Sequence, residues 1–266
     1  IRLYFTHVND EDLLTLSPQN AYGAALAHYR LAASRRPGEV AIRVYTPGIE
    51  VDGWQSPHSI IDIVNDDMPF LLDSVGAAVN RLGLGVHLVA HPVLRVLRDA
   101  AGGWLGLAGE GDKAGKPESF IHMAIDRQHD LARLDQIKDQ IGEVLADVRV
   151  AVADWRNMQS RLSTATEEVR VSTPADGAIV EAEESSAFLQ WMHDNHFTLL
   201  GYAEFAFPEN GDSAGVALVE GSGLGILRNP ETKLFRTRDG GGLALFSPVI
   251  LASLKRPGPL IITKTD

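Results

Sequence analysis

The chain of 266 residues contains no cysteine. Disulfides, thiolate metal sites and thiol nucleophiles are therefore excluded, and the composition fits a reducing compartment. Positive charge is also scarce, because 24 Lys and Arg stand against 35 Asp and Glu, a formal net charge of -11. A field of this sign repels nucleic-acid phosphates and anionic lipid, so neither nucleic acid nor a membrane is expected as a partner.

Long apolar runs are missing as well. No stretch of about 18 apolar residues occurs, and the start IRLYFTHVND has neither the basic segment nor the apolar core of a signal peptide. We therefore expect a soluble, cytoplasmic protein. Apolar residues make up 45% of the chain and charged residues 22%, which suits one large or two ordinary globular domains.

The first 56 residues predict a helix and a strand that extend a later domain. Ser17 is suited to cap a helix that begins at Pro18, and Pro37-Gly38 ends it. The pair Arg35-Arg36 is interpreted as a solvated helix end. Alternation over residues 40–45 then predicts a strand.

Residues 57–155 predict an α+β domain with the order βαββαβ. The expected elements are a strand at 59–64, a helix at 71–82, a long strand at 84–98, a strand at 119–125, a helix from 130 and a closing strand at 148–152. This order indicates a ferredoxin-like split βαβ sandwich, with four antiparallel strands and both helices on one face. The other face is expected to stay open and to pair with another subunit or domain, since Val89 and Val93 lie on it.

A second unit is predicted beyond a helical linker at 156–178, which ends in the turn-rich stretch 172–177. Residues 179–266 predict a β-rich α+β unit, with a helix at 181–192 and strands near 196–206, 214–220, 233–237, 243–247 and 259–264. The last strand meets no stop signal before Asp266, so the sequence is expected to end inside this unit.

Histidines on the predicted sheet suggest a metal site. If the strands pair as expected, His87, His91 and His122 fall on the non-helical face together with Asp62. Three imidazoles and a carboxylate could bind zinc. A polar interface or solvated sheet face explains the same two-residue spacing and is the interpretation we favour.

No catalytic residues are expected in this segment. Residues 221–225, Gly-Ser-Gly-Leu-Gly, lack the final glycine of a dinucleotide-binding loop, because Ile226 occupies that position. They also precede strands instead of a helix, so a turn or bulge is predicted there. No nucleophile and base can be paired elsewhere.

The residues between the first strand and the first helix of this predicted domain resemble a known turn. Asp67-Met68-Pro69-Phe70-Leu71-Leu72 resembles the ACT-domain turn Asp-x-Pro-Gly-x-Leu, whose free backbone N–H groups could receive the carboxylate of an amino-acid effector. The residues expected to bind it are Asn65, Asp66, Asp67, Met68, Pro69, Phe70 and Leu71. Phe70 replaces the usual glycine and is able to cover that backbone, so a purely structural turn stays open as the alternative.

A wider resemblance rests on six short sequence segments. They are GWQS at 53–56, DDMPFL at 66–71, HPVLR at 91–95, ESFIH at 118–122, DNHFTLLGY at 194–202 and GSGLGIL at 221–227. Together they are similar to the amino-terminal region of the large NAD-specific glutamate dehydrogenases, over most of residues 15–266. The resemblance implies a regulatory or oligomerisation segment without a cofactor of its own, in a parent homo-oligomer whose separate catalytic domain binds NAD. Its partners would be the rest of the parent chain, other subunits and a small effector such as an amino acid. The alternative is a purely structural assembly module with a vestigial ligand site.

Overall fold

The computed structural model describes residues 1–14, 16–109, 112, 114–171, 179–206, 215–229 and 243–245. Residues Ile1–Val148 form one compact unit and Arg149–Asp266 a second. The first unit therefore takes in the predicted extension, residues 1–56, as well as most of the predicted ACT-like domain.

The first unit combines helices with one antiparallel sheet. Its helices are α1 (Asp10–Leu14), α2 (Pro18–Ala32), α3 (Ile49–Asp52), α4 (Leu71–Arg81) and the first half of α5 (Leu131–Val171). Its strands are β1 (Ala41–Tyr45), β2 (Ser59–Asp66), β3 (Val86–Ala90), β4 (Val93–Arg98), β5 (Trp104–Leu107) and β6 (Lys116–Ile125). The α+β class predicted from the sequence is confirmed.

Local signals set the ends of several helices. The hydroxyl of Ser17 accepts a hydrogen bond from the Asn20 N–H, and Pro18 opens α2, as predicted. Gly83 follows α4 with a φ of 72°, a left-handed conformation that glycine adopts without strain. The side chain of Asp130 accepts from the Ala132 N–H at the start of α5.

The strands lie in the order β1-β2-β6-β4-β5, and β3 also pairs with β6. The predicted long strand at 84–98 is in fact two strands, which run consecutively along the same edge of β6. They are separated at His91-Pro92, because proline has no N–H to donate to the ladder. Strand β5 lies within the connection expected between residues 98 and 119.

The predicted closing strand at 148–152 is wrong, because α5 passes through those residues without a break. Val148 continues the buried stripe of Ile137, Ile141 and Leu145 at helical spacing. No glycine or proline interrupts residues 143–171, so nothing ends the helix there. The free edge of β2 pairs instead with β1, from the predicted extension.

Other elements cover both faces of the sheet, so the predicted open face is also wrong. Val89 and Val93 do not lie on the non-helical face as predicted, because they pair with Met123 and Ser119, on the face that α5 covers. On one face, Gly142 of α5 lies against Ile42, and the buried residues Ile61, Ile63, Ile121, Met123 and Ile125 share that side by strand alternation. On the other face, the amino-terminal segment and α2 cover the sheet through Tyr4, Phe5, Val8, Ala24 and Ala27, which cluster with Ile60, Leu88, Ala90 and Ala124.

The second unit contains the rest of α5, α6 (Ile179–Trp191), a π-helical turn (Met192–His196) and a 3-10 helix (Ile226–Arg228). Its strands are β7 (Gly201–Tyr202), β8 (Phe205–Ala206), β9 (Gly215–Leu218), β10 (Leu224–Gly225) and β11 (Leu243–Leu245). Strand β7 pairs with β10, and β9 lies between β8 and β11. The linker stretch 172–177 and the strands predicted near 233–237 and 259–264 lie outside the described residues. Within the described ranges, no helix is long and apolar enough to cross a membrane.

Candidate functional site

The effector turn, residues 65–71, joins the end of β2 to the start of α4. Asp66 pairs in register with Glu118 of β6, and the Asp67 N–H donates to the Pro117 carbonyl at 3.1 Å. Phe70 then adopts a left-handed conformation, with φ 70° and ψ 2°, directly before α4. Only glycine takes this conformation without strain, which explains why the ACT-type turn that it resembles has glycine at this position.

The seven residues of the turn differ in their access to solvent. Asp67, Pro69 and Phe70 are exposed, Asp66 and Met68 are half-buried, and Asn65 and Leu71 are buried. The Phe70 side chain is 48% exposed, so its ring is not a buried plug over the turn. Phe70, the N-cap residue of α4, makes no side-chain hydrogen bond to the first turn, which leaves the backbone N–H groups of that turn suited to a carboxylate.

A buried ion network holds the base of the effector turn. Arg35 Nη2 lies 2.8 Å from both Asp66 Oδ1 and Glu118 Oε1, and Arg98 Nε lies 2.7 Å from Glu118 Oε1. Burial alone would raise the pKa of Glu118, but Arg98 and Arg35 outweigh it and hold that pKa below its usual value. The interpretation of Arg35 as part of a solvated helix end is therefore wrong.

His91 lies near the effector turn. Its Nε2 is 2.5 Å from Ser119 Oγ, and Ser119 pairs in register with Asn65. Burial lowers the pKa of His91; the charge of Asp67 opposes that shift and His7 adds to it. His91 is thus part of the electrostatic surroundings of Asp67.

The predicted set of three histidines is not brought together. His87 bonds to Asp126 at 2.7 Å and stacks on His58 with ring centroids 4.1 Å apart, whereas His91 bonds to Ser119. His122 contacts Asp62, as their shared face predicted, but the histidine that joins them is His28 of α2.

His28, Asp62 and His122 form a buried cluster, called here the imidazole cluster. His122 Nδ1 lies 2.6 Å and His28 Nδ1 3.6 Å from Asp62 Oδ1, and the three residues are at most 3% exposed. His28 Nε2 lies 3.0 Å from the Ile63 carbonyl oxygen. Because a carbonyl oxygen can only accept, Nε2 carries the proton and donates. The Tyr4 hydroxyl lies 2.7 Å from His28 Nδ1, and the Tyr45 hydroxyl donates to Asp62 Oδ2 at 3.1 Å.

Burial and charge act in opposite directions in this cluster. Burial lowers the pKa of His28, against the attraction of Asp62. Burial also opposes ionisation of Asp62, but the two imidazoles and the hydrogen bonds from His122 and Tyr45 outweigh it, so the pKa of Asp62 lies below its usual value. The same burial, together with Asp62, raises the pKa values of Tyr4 and Tyr45.

Sequence reasoning missed His28, although a signal for it exists. It lies four positions after Ala24 and one after Ala27 on the buried stripe of α2, and a histidine among buried alanines needs a polar partner. The partners themselves come from strands far along the chain, so α2 alone could not reveal them.

The glycines at 221–225 form no nucleotide loop. Gly221 has a φ of 75°, Leu224–Gly225 is a short strand, and the three-residue 3-10 helix Ile226–Arg228 follows. The predicted turn is confirmed. Asp154 of α5 instead accepts a hydrogen bond from the Gly225 N–H at 2.8 Å and pairs with Arg228.

Comparison with known proteins identifies the family. The family model described as "Glutamate dehydrogenase, ACT1 domain" matches residues 1–141. The chain belongs to this glutamate dehydrogenase ACT1 family. The match begins at residue 1, so the ACT1 region includes the amino-terminal helices that cover the second sheet face.

Three curated relatives share one name, NAD-specific glutamate dehydrogenase. The NAD-specific glutamate dehydrogenase of Halomonas elongata is 35% identical over 85% of this chain, and that of Pseudomonas aeruginosa is 32% identical over 96%. The Mycobacterium tuberculosis protein of that name is 27% identical over 87%. The matched region spans only 14% to 16% of the length of these relatives, so the chain corresponds to a small part of each of them.

Proposed function

We propose that this chain is the non-catalytic regulatory segment of an NAD-dependent glutamate dehydrogenase. The parent would convert L-glutamate, NAD⁺ and water into 2-oxoglutarate, ammonium and NADH, with one proton released, in a separate catalytic domain that binds NAD. The observation that carries this proposal is the ACT1 family match together with the relatives' shared name. We place the parent in the cytoplasm, as a homo-oligomer.

The effector turn is where a small ligand would bind. The uncapped first turn of α4 offers N–H groups to a carboxylate, and the exposed carboxylate of Asp67 offers a partner for an ammonium group. An amino acid carries both charges on one carbon. Asn65, Asp66 and Leu71 would position the turn, because they are wholly or partly buried, and Asp67, Pro69 and Phe70 would reach the ligand.

A thermal-shift screen of this 266-residue chain against the twenty amino acids, 2-oxoglutarate and nucleotides tests the proposal. A ligand at 100 times its dissociation constant adds about 2.7 kcal/mol of stability. We expect one amino acid to raise the melting temperature and Asp67→Asn to abolish the rise. Asp139→Asn, which removes another exposed carboxylate, on α5, should leave the rise intact. No shift with any compound, or an equal loss in both variants, would reject sensing at this turn.

Assembly is the second candidate function, and the edge strand β5 supports it. Leu105 is 67% exposed and Leu107 43% exposed, and β5 is the last strand of its sheet. Its first residue, Trp104, donates to the Ala33 carbonyl beside it, so the edge available for pairing is the part around Leu105 and Leu107. An apolar edge strand pairs readily with a strand of another subunit. Sedimentation equilibrium would detect a dimer that Leu105→Lys dissociates; an unchanged mass in that variant would exclude β5 as the contact.

A further inference from the structure

The imidazole cluster has the composition of a metal site. His28 of α2, Asp62 of β2 and His122 of β6 each present one ligand atom, and these atoms lie within 4.8 Å of one another. Two imidazole nitrogens and one carboxylate oxygen suit divalent transition metals, zinc among them. The three residues come from elements far apart in sequence, so the fold itself assembles the group.

Outer hydrogen bonds orient the ligand atoms. The Nε2–H of His28 is fixed on the Ile63 carbonyl, so the Nδ1 lone pair faces the cluster. The Tyr4 hydroxyl donates to that lone pair at 2.7 Å and has to turn away for Nδ1 to bind an ion. Tyr45 holds Asp62 Oδ2, which leaves Oδ1 for the cluster. Histidine ligands that donate their second N–H to a carbonyl, and carboxylate ligands held by a hydrogen bond, are typical of protein metal sites.

A buried negative charge and an indole N–H without an acceptor also support a cation at the cluster. The Asp62 carboxylate is fully buried, and its partners in the described part of the chain are His28, His122 and Tyr45. Arg43 is opposite Asp62 in register, but its guanidinium pairs with Asp52. The indole N–H of Trp54, whose ring centroid is 6.4 Å from that of His122, is buried and has no acceptor among the described residues. A water or hydroxide held by a cation would give it one.

We propose that His28, Asp62 and His122 bind one Zn²⁺ ion, with the Tyr4 hydroxyl or a water molecule in the fourth position. Ligand atoms of a tetrahedral zinc site lie about 3.3 Å apart, close to the 3.6 Å between His28 Nδ1 and Asp62 Oδ1. The shorter pair, His122 Nδ1 and Asp62 Oδ1, opens by less than about 1 Å as zinc replaces the proton between them. That proton leaves to solvent. The ion links α2 to the sheet, and it also links the amino-terminal segment when Tyr4 is the fourth ligand.

Metal binding to the wild-type chain is the first test. The protein is stripped with a chelator, checked for its fold by circular dichroism, and titrated with ZnCl₂ by calorimetry; plasma mass spectrometry then counts the bound zinc. We expect one zinc per chain with micromolar or tighter affinity. A folded, stripped chain that takes up no zinc at micromolar concentration overturns the proposal.

Variants locate the ion. His122→Asn keeps a donor for Asp62 but loses the ligand nitrogen, so zinc binding should disappear, whereas His87→Asn, at an exposed histidine of the same sheet, should bind as the wild type does. Tyr45→Phe removes only the hydrogen bond to Asp62 and should weaken zinc binding by about 10- to 100-fold. If His122→Asn does not fold, the zinc affinity of Tyr45→Phe tests the assignment instead. Unchanged affinity in a folded His122→Asn or in Tyr45→Phe would place any bound zinc elsewhere and overturn the assignment.

Discussion

Arg35 Nη2 lies 2.8 Å from Glu118 Oε1, and both side chains are only 2% exposed. Arg35 follows α2 in the layer that the amino-terminal segment and α2 form over the sheet, whereas Glu118 lies on the central strand β6. Arg98 and Asp66 complete the network, so its two positive and two negative charges balance, and only Asp66 is partly exposed. The amino-terminal layer is therefore held to the base of the effector turn by paired charges as well as by apolar packing.

Glu118→Gln should strongly destabilise the first unit. The amide cannot neutralise Arg35 and Arg98, and breaking a buried ion pair by removing one partner costs about 3 kcal/mol. Urea denaturation followed by NMR signals of residues 1–148 measures this loss. Glu39→Gln, which breaks the exposed pair with Arg36, should cause no measurable change. Equal stability of the two variants would contradict this account of the network.

The contribution of Glu118 should also depend on pH. Its pKa in the folded chain is held below the usual value, so its stabilisation is complete above the unfolded value of about 4.3 and is lost as the pH falls through the folded pKa. The difference in unfolding free energy between wild type and Glu118→Gln should therefore be constant at neutral pH and shrink below about pH 4.3. A difference that stays constant down to pH 3 would contradict the assignment. The same urea experiment at a series of pH values measures it.

Features encoded within one segment could be predicted from the sequence. The cap at Ser17 and the start of α2 at Pro18, the strand β2 and the helix α4 follow from local periodicity and turn residues. The turn between β2 and α4 was predicted for the same reason. The valine-rich stretch 148–152 fits the two-residue period of a strand as well as the 3.6-residue period of a helix. It is helical because the buried stripe of α5 continues through it.

Features that depend on pairing between segments could not be predicted in this way. Strand β1 was expected, but its place beside β2 depends on β2 having a free edge. The imidazole cluster requires α2 to lie across the sheet, so Asp62 and His122 could be placed on one face while His28 was missed. Arg35 was misinterpreted because its partners are 31 and 83 positions away.

Phe70→Gly should yield a more stable chain than Phe70→Ala. Both substitutions remove the same half-exposed ring, but only glycine adopts the observed φ of 70° without strain, a difference of about 1 kcal/mol. At Ala77, an exposed position inside α4, the preference reverses, and Ala77→Gly should cost about 1 kcal/mol. Thermal denaturation of the three variants tests this. If Gly and Ala are equally stable at position 70, the backbone there is not left-handed in solution.

Asp154→Asn should loosen the second unit. Asp154 is 2% exposed and uses one oxygen for the Gly225 N–H and the other for Arg228, whereas asparagine has one acceptor and no charge. Losing hydrogen bonds to a charged group costs about 1.5 to 3 kcal/mol, so the Gly225 amide should exchange with deuterium about 10 to 100 times faster. Glu167→Gln, in the exposed pair with Arg170 on the same helix, is the matched control and should leave that rate unchanged. If Gly225 exchanges equally fast in both variants, the Asp154 carboxylate does not hold β10. A selective increase means that a single buried carboxylate on α5 orders the glycine-rich turn.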